Sequence, residues 1–161
     1  MKNILSLLFL LALPCLTDSP SRHWKLDAPI SADFTPRGGK VRLASGVEGK
    51  SLALDGRAVL ELKDSAKLTH VEKGFTFVTW INPYRLNAGQ QMIVAKNVYA
   101  KNHREWSVMI DRDNRFTLYL YQGKWQTVKA DTPVKPGHWF QVGVVIKPGE
   151  AELWVNGKRE G

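Results

Sequence analysis

Residues 106–121 read WSVMIDRDNRFTLYLY, two mainly apolar segments on either side of a short polar one. In an extended strand, successive side chains point to opposite faces of the sheet. The face that we assign to the core carries Phe116, Leu118 and Leu120, and the other face carries Thr117, Tyr119 and Tyr121. The intervening residues 111–114, Asp-Arg-Asp-Asn, offer side-chain oxygens that accept backbone hydrogen bonds and close turns. We therefore predict an antiparallel hairpin of strands 106–110 and 116–121.

The same pattern extends from residue 40 to the end of the chain. Short apolar runs with a period of two are interrupted about every ten residues by glycine, proline, asparagine or aspartate, which is typical of an all-β sandwich or barrel. The predicted strands are 51–54, 59–62, 75–81, 92–96, 106–110, 116–121, 127–130, 139–146 and 151–155. Residues 147–150, Lys-Pro-Gly-Glu, predict a tight turn between the last two strands. Since no segment has helical periodicity, we predict an all-β, antiparallel β-sandwich.

The N-terminus predicts export. Residues 4–16 are apolar and uncharged, and a lysine and a polar run flank them, which is the pattern of a secretory signal peptide. This run of 13 residues is shorter than the ~20 that a membrane-spanning helix needs. We therefore assign 1–19 to a signal peptide and 20–161 to one domain of a secreted, periplasmic or cell-surface protein without a membrane span. The only cysteine, Cys15, lies in the signal, so we expect a mature domain without disulfides.

The charge balance narrows the class of partner. The 161 residues include 23 lysines and arginines against 15 aspartates and glutamates, a net charge of +8. Such a surface attracts anionic partners, and for an exported protein these are acidic polysaccharides or a cell surface rather than nucleic acid. The alternative is an ordinary solvated basic surface without a dedicated anion site.

Six motifs follow one another along the chain: WKLD at 24–27, GKSLALDG at 49–56, FTFVTWINP at 75–83, IVAK at 93–96, GHWFQVGVV at 137–145 and LWVNG at 153–157. In these motifs and their order the chain resembles the laminin-G-like, concanavalin A-like jelly-roll family found in bacterial secreted proteins. The resemblance implies a concanavalin A-like jelly roll, two packed antiparallel sheets. It also implies carbohydrate binding as the class of function.

The C-terminal residues predict an incomplete domain. Asn156-Gly157 is the strongest short-range signal for a β-hairpin turn, and four residues follow it. The family has a further strand or two that close the sandwich beside its N-terminal strand. We therefore expect that the domain lacks its last strand or strands and that the natural protein continues beyond residue 161.

The sequence contains no pattern for catalysis. Glycosidases of the superfamily carry paired carboxylates on one strand as Glu-x-Asp-x-x-Glu, and that string is absent. We assign Glu61, Asp64 and Glu72 to surface charges at strand ends and in a loop. The four histidines have no metal-ligand spacing and no cysteine beside them, so a zinc site is not expected.

Calcium is the one cofactor that we keep as an alternative to none. Asp111, Asp113 and Asn114 are oxygen-rich, as calcium sites require, although closure of a turn accounts for them without a metal. A second place for calcium is Asn102 or Glu105, completed by residues beyond the chain.

Aromatic residues are the candidate carbohydrate-binding residues. Tyr119 and Tyr121 share the outer face of their strand and Trp125 follows just beyond the turn, where flat rings at sheet spacing suit stacking on sugars. The basic loop that contains His103 and Arg104 is placed at the rim of the same surface. The alternatives are that a neighbouring loop partly buries the rings and that the basic loop is ordinary solvated surface.

The remaining strand tryptophans are assigned to the core, because each stands among apolar neighbours. They are Trp80, Trp106, Trp139 and Trp154. Trp80 is taken as the buried reference against which the outward rings are compared.

The function predicted from these features is a non-catalytic carbohydrate-binding or adhesion module. One alternative is a structural or protein-interaction domain that accompanies a larger secreted hydrolase or sulfatase. Another is a divergent polysaccharide hydrolase, against which the missing carboxylate pair argues.

Overall fold

Twelve strands and one 3-10 turn form the described part of the chain, residues 23–24, 30–63 and 71–161 of a computed structural model. In chain order the strands are β1 Phe34–Arg37, β2 Val41–Ser45, β3 Lys50–Leu54, β4 Val59–Leu62, β5 Phe75–Ile81, β6 Gln91–Val98, β7 His103–Ile110, β8 Arg115–Gln122, β9 Lys124–Pro133, β10 Phe140–Lys147, β11 Glu150–Val155 and β12 Lys158–Arg159. The 3-10 turn, Tyr99–Lys101, lies between β6 and β7. The all-β prediction is confirmed, and the nine predicted strands are present with ends that differ by at most three residues.

The sequence does not predict β1, β2 or β12. The first two belong to a segment in which apolar alternation is weak, and β12 is only two residues long. The predicted signal peptide at 1–19 lies outside the described residues, as do residues 25–27 of the WKLD motif. Trp24 itself is described, and its indole Nε1 donates a hydrogen bond of 2.8 Å to Asp33 Oδ2.

The strands pair antiparallel in two large sheets and two small ones. The large sheets have the orders β12-β11-β10-β5, called the β10 sheet below, and β6-β7-β8-β9, called the β8 sheet. The small sheets are the pairs β1-β4 and β2-β3. Antiparallel sheets with one buried face produce the apolar alternation seen in the sequence. The predicted antiparallel β-sandwich is therefore confirmed.

The hydrophobic core lies between the two large sheets. Its fully buried residues come from both, with Phe116 and Leu118 of β8 facing Val144 of β10 and Leu153 of β11 in one apolar cluster. The rings of Phe116 and Phe140 meet edge to face with centroids 5.3 Å apart. The predicted inward set of β8 is thus buried, and its alternate residues face away from the core.

Two of the four tryptophans assigned to the core lie on the opposite face of their strand. Trp80 is 47% exposed, because β5 turns Phe75, Phe77 and Ile81 inward and alternation then sends Trp80 outward. Trp154 likewise lies between two buried neighbours on β11. Its Nε1 donates a hydrogen bond of 2.9 Å to Glu152 Oε2 on the outer face. The core assignment is wrong for both residues, and Trp80 cannot serve as a buried reference. Trp106 is buried as predicted.

Trp139, the fourth tryptophan assigned to the core, is partly buried and lies just before the start of β10.

The C-terminal hairpin is formed within the chain. Asn156 and Gly157 have φ angles of 50° and 78°, the left-handed values that a two-residue hairpin turn requires at both positions. The returning residues Lys158 and Arg159 pair with Val155 and Trp154 as β12. The predicted turn is therefore present together with a short returning strand. Whether further strands follow in the natural protein stays a prediction.

Candidate functional site

Three aromatic side chains meet on the outer face of the β8 sheet. Tyr121 of β8 lies directly opposite Trp125 of β9, and Tyr119 lies opposite Thr127. The Trp125 ring is 5.3 Å from Tyr121 and 6.5 Å from Tyr119, measured between centroids. Each ring is partly exposed. We call Tyr119, Tyr121 and Trp125 the aromatic cluster.

The cluster is not flat. The plane of Trp125 is inclined by 63° to Tyr121 and by 78° to Tyr119, an edge-to-face arrangement that aromatic pairs prefer. The three rings therefore do not share one plane but stand at steep angles to one another. Such an arrangement offers ring faces to apolar surfaces of a ligand and places an indole N–H and two hydroxyls at its edges.

A β-bulge brings Arg104 to the aromatic cluster. Lys96 of β6 pairs with Trp106, but the next residue of β6, Asn97, pairs with Arg104, so Glu105 is an extra residue in β7. Strict alternation would put Arg104 on the same face as the buried Trp106, whereas a bulge re-aims the side chains that follow it. The Arg104 guanidinium carbon lies 5.6 Å from the centroid of the Tyr121 ring, within the range of a cation–π contact.

The five predicted binding residues thus fall into two groups. The structure brings Tyr119, Tyr121, Trp125 and Arg104 together on one surface. His103 is exposed at the first position of β7, opposite Val98. Its ring is not among the contacts that join the other four.

One residue that the sequence does not suggest completes this surface. Gln90, at the end of the β5–β6 connection, donates a hydrogen bond of 3.1 Å from Nε2 to the Tyr119 hydroxyl. The two residues are 29 positions apart, and no local pattern links a loop glutamine to a tyrosine on a strand two places away in the sheet. An ion pair of 3.0 Å between Lys96 and Glu105 lies at the bulge.

At the other end of β8, the oxygen-rich turn at residues 111–114 binds the ammonium group of Lys129. Lys129 Nζ lies 2.6 Å from an oxygen of Asp111 and 2.6 Å from one of Asp113. The Thr117 hydroxyl donates a hydrogen bond of 3.1 Å to Asp111 Oδ2. The backbone N–H groups of Asp113 and Arg115 donate hydrogen bonds to Asp111 Oδ1. The turn predicted for 111–114 is therefore present, and its two carboxylates are bound by a cation of the chain itself.

These contacts shift the ionisation of both partners. Burial acts to raise the pKa of the Asp111 carboxyl, but its hydrogen bonds, led by the one from Lys129, outweigh burial and lower the pKa overall. Hydrogen bonds to Asp111 and then to Asp113 raise the pKa of Lys129. The pair is therefore ionised near neutral pH, and turn closure explains these residues without calcium.

The described residues contain neither a metal-binding cluster nor a membrane-spanning helix. In residues 23–24, 30–63 and 71–161, no group of three or more His, Cys, Asp or Glu side chains could hold a metal ion. Within the same ranges, no helix has the length and apolar character to cross a membrane. Of the acidic residues considered for catalysis, Glu61 bonds Arg37 at 2.9 Å, and Asp64 lies outside the described residues.

The fold is an antiparallel β-sandwich with a partly exposed aromatic cluster on the outer face of the β8 sheet. The sequence pattern of the Concanavalin A-like lectin/glucanases superfamily matches residues 54–161, and the chain belongs to this superfamily. This confirms the resemblance drawn from the six motifs. No curated protein matches the chain.

One solved structure has a similar fold. It is domain 4 of AbnA, a GH43 extracellular arabinanase from Geobacillus stearothermophilus, in complex with arabinotriose. The superposition has a TM-score of 0.61 at 17% identity and covers 79% of this chain. The superposed part covers 63% of the length of the arabinanase domain structure. At this identity the likeness establishes the fold.

Proposed function

We propose that the chain is a non-catalytic carbohydrate-binding module of an exported protein and that the sugar binds at the aromatic cluster. The observation that carries the proposal is the meeting of Tyr119, Tyr121 and Trp125 beside the Arg104 guanidinium on the outer face of the β8 sheet. Membership of a superfamily of lectins and glucanases supports it. So does the similar fold of an arabinanase domain in complex with arabinotriose.

The chemistry of the cluster suits a saccharide. The C–H faces of a sugar ring are apolar and contact aromatic faces, while its hydroxyls require hydrogen-bonding groups at the edges. Trp125 carries an N–H and Tyr119 and Tyr121 carry hydroxyls, and the Arg104 guanidinium lies beside the Tyr121 ring. The net charge of +8 favours an acidic polysaccharide over a neutral one.

A non-catalytic role is favoured by the state of the Asp111 and Asp113 carboxylates. Glycoside hydrolysis needs one carboxyl group that is protonated as the acid and a second that is ionised. Asp111 and Asp113 share the Lys129 ammonium, and the lowered pKa of Asp111 keeps it from acting as an acid near neutral pH. The arabinanase domain suggests the second candidate, an accessory module that accompanies a secreted hydrolase. Export through a signal peptide at 1–19 is part of the proposal.

The test compares glycan binding and stability in matched variants. A glycan array that includes arabino-oligosaccharides identifies a ligand, and calorimetry then gives its affinity for Tyr119→Ala, Tyr121→Ala and Trp125→Ala. We expect each to weaken binding by about tenfold or more, as for central aromatic contacts. Tyr84→Ala, which removes a ring that is 93% exposed on the β5–β6 connection, is the control and should bind normally.

Stability separates loss of binding from loss of fold. The cluster rings are partly buried, so each alanine variant should lower the free energy of unfolding by about 1–2 kcal/mol, against about 3–5 kcal/mol for the buried Trp106→Ala. Denaturant unfolding measures both. Folded cluster variants with unchanged affinity, or a chain that binds no glycan, would contradict the proposed function.

A further inference from the structure

We propose that the outer face of the β10 sheet is a second saccharide-binding surface, which takes a neutral sugar chain between Trp80 and Trp154. The inference rests on the proposed carbohydrate-binding function and extends it to a surface that the aromatic cluster does not include. The two large sheets enclose the core, so their outer faces lie on opposite sides of the sandwich. One domain with both surfaces holds two glycan chains at once.

Two tryptophans flank a glycine on this face. Trp80 of β5 pairs with Gln141 of β10. Two residues further along β10, Gly143 lies between Val78 of β5 and Trp154 of β11. Because neighbouring strands are about 4.8 Å apart, the strands that carry the two tryptophans are separated by about 10 Å across the sheet. Trp80 is 47% exposed and Val78 54% exposed, and Trp154 is partly exposed.

The glycine leaves a depression between its neighbours. An added Cβ at Gly143 would lie 3.6 Å from Val78 Cγ2 and 3.7 Å from Trp154 Cβ. Side chains of the adjacent strands therefore stand on both sides of a position that carries none. A sugar ring that lies over the glycine contacts these side chains through its apolar C–H groups.

Trp154 is held in a fixed position by its neighbours. Its Nε1 donates a hydrogen bond of 2.9 Å to Glu152 Oε2. The other oxygen of Glu152 lies 3.5 Å from a guanidinium nitrogen of Arg159 and 3.8 Å from Lys147 Nζ. A ring that is already fixed loses little conformational entropy when a ligand binds. Trp154 is therefore preorganised as one wall of the surface.

The charged side chains of this face balance one another. Alternation turns two cations and two anions of the four strands to the outer side, Lys147, Arg159, Glu150 and Glu152. They form ion pairs among themselves at 3.5 to 3.9 Å. This face is thus neutral on a chain whose net charge is +8. A neutral ligand is the electrostatic complement of such a face.

The size of the apolar strip favours a sugar over a folded protein. Val78, Trp80 and Trp154 are the large apolar side chains of the four strands that reach this surface, and the amides of Gln141 and Asn156 lie next to them. A stable protein interface takes about 800 Å² from each partner, about 20–30 residues. Three apolar side chains beside two amides instead suit a small ligand that presents both C–H groups and hydroxyls.

The test follows the indole N–H groups while neutral sugars are added. Arabinotriose, xylotetraose and cellotetraose are titrated into the full chain, and heteronuclear NMR resolves the indole signals of its six tryptophans, which single phenylalanine variants assign. At least one sugar should shift the signals of Trp80 and Trp154. Since the face has no net charge, the shifts should persist at high salt.

Matched substitutions separate the two surfaces. Trp80→Ala should weaken the binding that shifts Trp154 by about tenfold or more and should leave the ligand of the aromatic cluster bound normally. Trp125→Ala should have the reverse effect. Val59→Ala, at a residue of β4 that is 58% exposed, is the control and should change neither. Circular dichroism checks that each variant folds. If Trp80→Ala does not fold, Trp80→Phe and the Trp154 signal of the unaltered chain provide the same comparison.

The outcomes distinguish this inference from the proposed function. If none of the three sugars shifts Trp80 or Trp154, or if the binding survives in folded Trp80→Ala, the second surface is overturned and the aromatic cluster is unaffected. If ultracentrifugation shows a dimer that Trp80→Ala dissociates, the face binds a second copy of the chain and the second surface is likewise overturned. If sugar binding depends on Trp80 while Trp125→Ala has no effect, the second surface stands and the cluster is not the site.

Discussion

Asp111 shows how a single side chain organises the end of two strands. It is almost fully buried, yet its two oxygens receive hydrogen bonds from the turn backbone, from Thr117 and from Lys129. A buried carboxylate is stable only when its charge is paired and its oxygens are hydrogen-bonded. The turn therefore depends on this carboxylate remaining ionised.

This dependence predicts a loss of stability in acid. Since folding lowers the pKa of Asp111, its charge stabilises the fold above the unfolded-state pKa of about 4, and the contribution is lost as the pH falls through the lower, folded-state value. Urea unfolding between neutral pH and pH ~2 should show this decline. Asp111→Asn should be less stable at neutral pH and should decline less steeply.

Glu160 contributes to the remaining decline. The pKa of Glu160 is also lowered, because hydrogen bonds from Thr132 and Lys158 outweigh the effect of burial. Asp131→Asn, at an exposed aspartate of β9, is the control and should follow the unaltered chain. An Asp111→Asn curve parallel to that chain throughout would contradict the role given to this carboxylate.

At the scale of elements, local patterns predict the strands well and their faces less well. Alternation correctly assigns Phe116 and Leu118 to the core, because β8 pairs with β7 in continuous register there and one face of the sheet is buried. Trp80 is misassigned because the core assignment was based on its apolar neighbours and not on its position in the alternation of β5. Arg104 lies beyond a bulge, and a bulge depends on the register of two strands, which neither strand encodes alone.

The contact of Gln90 with Tyr119 is unpredictable for the same reason. It depends on how a loop folds back over a sheet whose strand order is not contained in any local pattern. Residues of the candidate site that lie on one regular strand were therefore accessible from the sequence. Arg104 was proposed from the charge of its loop, but its contact with Tyr121 depends on the bulge, and the contact of Gln90 with Tyr119 depends on a loop.

Gly143 permits a prediction about β10. It lies in the middle of the strand without a left-handed φ angle, and an added Cβ would meet Val78 and Trp154 at 3.6 and 3.7 Å, ordinary contact distances. Because alanine restricts the unfolded chain more than glycine does, Gly143→Ala should raise the free energy of unfolding by about 0.5–1 kcal/mol. Denaturant midpoints measure the change.

Gly74 is the matched comparison. Its φ is 78°, and an added Cβ would lie 2.7 Å from the Ile146 carbonyl oxygen, so Gly74→Ala should destabilise the domain. If Gly143→Ala proved as damaging as Gly74→Ala, the outer face of the β10 sheet would be packed more tightly than described.

At the scale of the whole molecule, the two large sheets are joined by more than their core. After β12 the chain continues along β11, where the Glu160 N–H donates a hydrogen bond of 2.8 Å to the Leu153 carbonyl. The Glu160 carboxylate accepts a hydrogen bond of 2.7 Å from the Thr132 N–H of β9, and it lies 3.1 Å from Lys158 Nζ. This carboxylate connects an edge of the β10 sheet to an edge of the β8 sheet.

Removing that connection should weaken the whole domain. Glu160→Ala leaves the Thr132 N–H without its acceptor and should lower the free energy of unfolding by about 1–3 kcal/mol in a single cooperative transition. Glu150→Ala, at an exposed carboxylate of β11, should change it by about 0.5 kcal/mol or less. Equal effects of the two substitutions in urea unfolding would show that the connection contributes little.

Lys129 has a consequence for the conditions in which such a domain can work. A bound metal ion dissociates when the surrounding concentration falls or a chelator removes it, and a loop that relies on it then loses its shape. The counterion of Asp111 and Asp113 is covalently part of β9 and cannot be diluted away. The two carboxylates of the β7–β8 turn therefore have a counterion that belongs to the chain itself and stays beside them whatever ions the medium contains.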